Sequence, residues 1–155
     1  AASIYMFSYM IMNVAIFAIL LSLKVKNEYL INISDLKGLS KSNPIVSLSI
    51  SIIMLSMAGI PPFIGFFGKF YVFIAAIEQE LYVLSILGVL ASVISAYYYL
   101  RIIKIMYFDE NDVSLDVIEN KSSMAILGLM LFLTLSFGLF LNWFVETTMG
   151  IVSLI

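Results

Sequence analysis

Of the eight Lys and Arg residues in this 155-residue chain, five lie in polar stretches, two (Arg101 and Lys104) lie in the last turns of an apolar run, and one, Lys69, lies deep inside an apolar run. A buried amine can take up and release a proton, whereas an arginine in its place would be a fixed charge. Just before Lys69 the chain reads Ala58-Gly59-Ile60-Pro61-Pro62-Phe63-Ile64-Gly65. Two prolines remove two backbone donors and their rings clash with the preceding turn, and the flanking glycines permit dihedrals that other residues avoid. A single ionisable group thus follows interrupted backbone. The composition excludes much other chemistry. There is no cysteine and no histidine, which removes disulfides, thiolate nucleophiles, Cys/His zinc sites, haem ligation by histidine and the Ser-His-Asp triad. The glycines near Lys69 do not follow a phosphate-cradling pattern. Asp109, Glu110, Asp112, Asp116 and Glu119 form an acidic stretch. It lacks the glycine turn and ligand spacing of a calcium loop and reads as a solvated surface. No cofactor or metal site is expected. No basic run is long enough to grip nucleic acid, and the net charge of −2 is too small to indicate a partner.

Two readings of Lys69 are open on the residues alone. One is a proton relay, and the other is a structural lysine paired with a carboxylate. No Asp or Glu falls in the apolar runs, so such a carboxylate would come from sequence outside this chain or from a neighbouring subunit.

The elements that must position Lys69 are membrane spans. The chain is 63% apolar and 12% charged, against about 45–50% and about 25% in soluble domains, so lipid is its natural solvent. A spanning helix needs about 20 apolar residues. Residues 4–23, 44–77, 82–108 and 124–145 supply four apolar runs, with a polar loop over Lys24–Asn43 and a charged one over Asp109–Ser123. None shows the alternation of barrel strands, and all are read as helices. The second run would reach roughly 50 Å as one helix, against about 30 Å of hydrocarbon. It is predicted to be broken near Ile60–Gly65 by Gly59, Pro61, Pro62 and Gly65, with halves over Pro44–Gly59 and Gly65–Ile77. A simple proline kink in a tilted helix is the plainer alternative. Broken backbone at membrane depth survives only where protein or a wet cavity satisfies the freed groups. The expected fold class is therefore all-α membrane protein, with about four transmembrane helices and the second discontinuous.

The second half-helix puts Lys69 about 13 Å from the turn that follows it, near the midplane. A charge there costs from about 2.5 to more than 10 kcal/mol, and low dielectric disfavours the ammonium form. Lys24, Lys26, Lys37 and Lys41 fall in the first loop, and Arg101, Lys104 and Lys121 flank the third. The turn Glu78-Gln79-Glu80 and the segment after Asn142 have no base. The positive-inside rule then makes the first and third loops cytoplasmic and puts the C-terminus on the opposite side. Tyr82, Tyr97, Tyr98, Tyr99, Tyr107 and Trp143 lie near the predicted boundaries, as an aromatic belt would. The chain opens in an apolar helix without a basic n-region or initiator Met, which reads as part of something longer rather than as a secretory signal.

Polar stripes run along the helices. Tyr5, Tyr9 and Asn13 share one face of the first. Ser85, Gly88, Ser92, Ser95 and Tyr99 follow helical spacing in the third, and Thr134, Gly138 and Asn142 align in the fourth. Such seams let helices pack closely, and that role suffices to explain them. A candidate polar pathway through Tyr9, Asn13, Ser92 and Ser95 is the functional alternative.

The segment Leu55-Ser56-Met57-Ala58-Gly59-Ile60-Pro61-Pro62-Phe63-Ile64-Gly65-Phe66-Phe67-Gly68-Lys69-Phe70 resembles the discontinuous-helix signature of antiporter-like membrane subunits of respiratory NADH-quinone oxidoreductase (complex I). The same signature occurs in related multisubunit cation/proton antiporters. Ser92-Val93-Ile94-Ser95-Ala96-Tyr97-Tyr98-Tyr99-Leu100-Arg101, continuing to Met106-Tyr107-Phe108, resembles the subunit N branch, as does Tyr9-Met10-Ile11-Met12-Asn13-Val14-Ala15-Ile16-Phe17. The likeness covers nearly the whole chain and is least diagnostic over the last thirty or so residues. It implies that residues 1–155 are the C-terminal transmembrane portion of a proton-translocation domain. It also implies that Lys69 is a relay on the way out to the periplasmic side, in a central chain of protonatable groups whose other members lie on earlier helices. The family's partners would be the other membrane subunits of complex I and the lipid bilayer of a bacterial inner membrane. NADH, FMN, iron–sulfur clusters and quinone would be bound by those other subunits. Two functions follow: a redox-driven proton translocase subunit, which the Tyr97–Arg101 block favours, and a subunit of a cation/proton antiporter. A structural membrane fragment with no transport role is the bland third.

Overall fold

The computed structural model describes residues 2–21, 23–25, 28–29, 32–109, 116–117, 125, 128–129 and 131–136. Helix α1 spans Ala2–Leu20, α2 Leu39–Ser42, α3 Pro44–Ala58, α4 Ile64–Glu78 and α5 Tyr82–Phe108. Strands β1 (Leu23–Val25), β2 (Glu28–Tyr29) and β3 (Asp116–Val117) and a 3-10 turn over Ile33–Leu36 lie in the loops. Of the predicted fourth span, 124–145, only 125, 128–129 and 131–136 are described, and these are helical. Gly138, Asn142 and Trp143 lie outside the described residues.

Helix α3 is the centre of the packing, against α1 on one side and α5 on the other. It opens with Pro44 in the first turn, where the missing N–H costs nothing and the fixed φ is already helical. Its buried side chains include Val46, Ile50, Ile53 and Met54. Its serines keep their polarity off the core: Ser49 and Ser51 donate to the carbonyls of Ile45 and Ser47, each at 2.8 Å. On α1 the buried residues Ser8, Ile11, Met12, Ala15 and Ile19 recur at the spacing of one helical face. At 15 residues each, α3 and α4 rise only about 22 Å apiece, so neither is long enough to cross a bilayer alone, and end to end they are. The 27 residues of α5 are long and apolar enough to cross unaided. Its outer face leaves Val83, Leu87, Leu90 and Ile94 exposed. The chain is a multi-pass all-α membrane protein.

The first loop, read from the sequence as polar, carries short regular elements. β1 pairs antiparallel with β2 (Lys24 opposite Tyr29) and with β3 (Leu23 opposite Val117). Leu36 and Leu39 are buried in the core. Three-residue spacing of Ile33, Leu36 and Leu39 gives this loop an apolar edge that its lysines mask in composition. The strands also tie the first loop to the loop after α5, so both sit at one end, with the Gln79–Leu81 turn at the other.

Candidate functional site

The site begins where α3 stops. Gly59 takes φ 85°, a left-handed conformation open to glycine at little cost. A helix leaves its last four carbonyls without intrahelical partners, and here all four are satisfied. Gly59 N–H bonds to Ser56 O at 3.0 Å, and Ile60 N–H reaches back to Leu55 O at 3.1 Å. The remaining two, Met57 O and Ala58 O, accept from Lys69 Nζ at 3.0 and 3.3 Å. An ammonium at a helix C-terminus also meets the negative end of the helix dipole. Lys69 belongs to α4, so one half-helix supplies the cation that caps the other.

The opposite bond closes the joint. The first N–H groups of α4 also lack intrahelical acceptors, and that of Gly65 donates to Ser56 Oγ at 3.2 Å. Ser56 Oγ in turn donates to Met12 Sδ of α1 at 3.1 Å. Gly65 sits so close to Ser56 that a Cβ there would collide with the serine's backbone carbonyl. Gly59 faces the Lys69 side chain, whose Cδ would be 3.2 Å from an added Cβ. Pro61 and Pro62 lie exposed in the non-helical turn between the halves. The backbone is therefore broken, not merely kinked: α3 ends at Ala58 and α4 starts at Ile64, within a residue of the predicted Gly59 and Gly65 boundaries.

Lys69 is half-buried and lines a cavity of about 470 Å³ between α1, α4 and α5. Tyr5, Ser8 and Tyr9 come from α1, and Ser92, Ser95 and Tyr99 from α5. Apolar walls come from Met12, Val72, Phe73 and Ala91. At about 30 Å³ per water, the space holds on the order of ten. The Tyr5 and Tyr9 rings stack at 6.1 Å between centroids. Ser95 Oγ is turned to Ala91 O at 2.9 Å.

Of the four residues of the candidate polar pathway, Tyr9, Ser92 and Ser95 share this cavity with Lys69 and Asn13 does not. Asn13 lies in an outer groove with Met6, Met10, Val14 and Phe17, and its Nδ2 donates to Tyr9 O at 2.8 Å. Tyr5 and Tyr99 were visible in the sequence as members of polar stripes, but nothing there separated them from packing residues. Ser56 carried no sequence signal, because its partners belong to other helices. The pairing of Lys69 with a carboxylate finds no counterpart among the described residues, where its partners are backbone carbonyls.

Residues 1–95 match the family described as NADH:quinone oxidoreductase/Mrp antiporter, TM. The chain is 58% identical over 107 residues to the NADH-quinone oxidoreductase subunit N of Paramagnetospirillum magneticum, covering 69% of this chain and 22% of that protein. It is 53% identical over 117 residues to subunit N of Pelagibacter ubique, covering 76% and 25%. It is 43% identical over 143 residues to subunit N of Bartonella bacilliformis, covering 92% and 29%. Its fold matches a chain of the respiratory complex I from Thermus thermophilus with bound aureothin, at a TM-score of 0.76 and 25% identity over 90% of this chain and 32% of that one. The chain thus spans roughly a quarter of the length of these relatives.

Proposed function

This chain belongs to the NADH:quinone oxidoreductase/Mrp antiporter transmembrane family, and from that premise we propose that it takes part in proton translocation as a piece of a complex I membrane subunit. The observation that carries the proposal is the setting of Lys69. It is the one Lys or Arg in the 44–77 run and lies far from that run's ends, it stands at a break in the backbone, and it faces a cavity ringed with hydroxyls. The ammonium is held by two carbonyls rather than by a carboxylate. It can therefore hand a proton to cavity water without leaving a bare anion behind, and the resulting amine still has donors for the same carbonyls. Tyr9, Ser92 and Ser95, with Tyr5 and Tyr99, offer hydroxyls that both donate and accept, as a hopping chain needs.

The driving energy comes from NADH oxidation and quinone reduction in partner subunits. The chain has no cysteine or histidine to hold iron–sulfur clusters or haem, and NADH, FMN and quinone are assigned to those partners too. The bilayer is a bacterial inner membrane, with the basic loops cytoplasmic and the C-terminus periplasmic. The family description also covers cation/proton antiporters, which is the second reading. Relatives 43–58% identical and named as subunit N favour the first.

The test is Lys69→Ala in the full-length subunit, assayed in inverted membrane vesicles. Proton pumping linked to quinone reduction is expected to fall at least tenfold while the complex assembles normally. Wild-type pumping in a fully assembled variant removes the relay. Co-purification separates the two functions: partners bearing iron–sulfur clusters mark the oxidoreductase, and partners without redox centres mark the antiporter.

A further inference from the structure

We propose that Ser56 is a positioning residue for Lys69, acting across the helix break; the inference rests on the relay reading above. The two half-helices are cross-capped. Lys69 of α4 satisfies the last carbonyls of α3, and Ser56 of α3 satisfies an initial N–H of α4 at Gly65. Gly65 and Lys69 are four residues apart and so share a face of α4. Whatever fixes the rotation of α4 at Gly65 therefore fixes where the lysine points.

Ser56 is unusual among the serines of its helix. Ser47, Ser49 and Ser51 bond to carbonyls of the preceding turn, the ordinary recourse of a hydroxyl in a helix, and Ser47 reaches Tyr107 of α5 as well. Ser56 instead bonds outward to α4 and α1. It is fully buried and does not line the cavity, so it does not itself carry protons. Its influence passes through the joint. With the hydroxyl gone, the Gly65 N–H is left in an apolar setting at membrane depth, where an unsatisfied donor costs free energy. The start of α4 then turns or slides toward another acceptor, and the Lys69 amine moves relative to Met57 O and Ala58 O. The titratable groups that face Lys69 across the cavity are Tyr5 and Tyr9 from α1 and Tyr99 from α5. No carboxylate lines the cavity among the described residues.

The experiment measures proton pumping against pH in vesicles carrying the assembled complex, for wild type, Ser56→Ala, Ser56→Cys and Lys69→Ala. Cysteine is close to serine in size and is a weak acceptor, so it weakens the bond with little change in volume. Both Ser56 variants are expected to pump roughly fivefold more slowly at neutral pH, the worth of about one net hydrogen bond. The pH of half-maximal pumping is also expected to be displaced by about 0.7, the same factor in protonation ratio. Wild-type rates, or a lower rate with an unmoved profile, overturn the proposal. If Ser56→Ala fails to assemble, Ser56→Cys decides by the same criteria. The Lys69→Ala arm keeps the two ideas apart. Wild-type pumping there removes the relay and this inference together, whereas a loss there with unmoved Ser56 profiles removes only the positioning role.

Discussion

An amine at membrane depth is expensive, and the described structure offers it backbone rather than a counter-charge. Lys69 bonds to Met57 O and Ala58 O, carbonyls that a continuous helix would have used itself. That partner could not be read from residue types, because every residue has a carbonyl and only the break sets these two free. The position of Lys69 was legible, since one base in a long apolar run stands out. The role of Ser56 was not, since a serine bonding its own helix and one bonding a neighbour look alike in sequence. Gly65 is the residue whose replacement is most costly at this joint: an added methyl meets the Ser56 carbonyl, which cannot move without unwinding α3. Gly65→Ala is expected to destabilise the subunit by about 1–3 kcal/mol, as overpacking does. A thermal midpoint in detergent that falls below that of wild type checks this, and an unchanged midpoint contradicts it.

Element boundaries were legible where proline, glycine or charge marks them. The sequence placed α5 at 82–108, matching Tyr82–Phe108, and the halves of the broken helix each came within a residue of their observed ends. The break follows from length as well as composition, because 44–77 is too long for one straight crossing. α1 ends three residues before the apolar run does: Leu23 leaves the helix to pair as a strand with Val117. The loop Lys24–Asn43 reads as polar, and the strands and helical turns within it are not legible. Its lysines dominated the reading, while Leu36 and Leu39, which are buried, hold the 3-10 turn and α2 against the core. Strand pairing between residues 23 and 117 is a contact distant in sequence, and two or three residues of strand leave no periodicity to find.

For the molecule as a whole, the pairing of β1 with β3 puts the loop before α2 and the loop after α5 at one end. This is the arrangement that the basic residues imply by the positive-inside rule. Because the chain lacks cysteine, single cysteines at two exposed positions, Ser42→Cys and Gln79→Cys, report sidedness when placed in a subunit otherwise free of cysteine. A membrane-impermeant maleimide is expected to label Ser42→Cys only from the cytoplasmic side and Gln79→Cys only from the opposite one. Labelling of both from one side contradicts the topology.

The central claim is that Lys69 works by exchanging its proton, and that its hold on the α3 carbonyls is not its whole purpose. Lys69→Arg separates the two. Arginine keeps a cation and several donors for Met57 O and Ala58 O, but it does not deprotonate in proteins. Proton pumping by vesicles bearing the assembled Lys69→Arg complex is predicted to fall to the level of Lys69→Ala, although the subunit keeps wild-type thermal stability. Pumping restored to the wild-type rate by arginine would show that a fixed charge suffices, and would contradict the account.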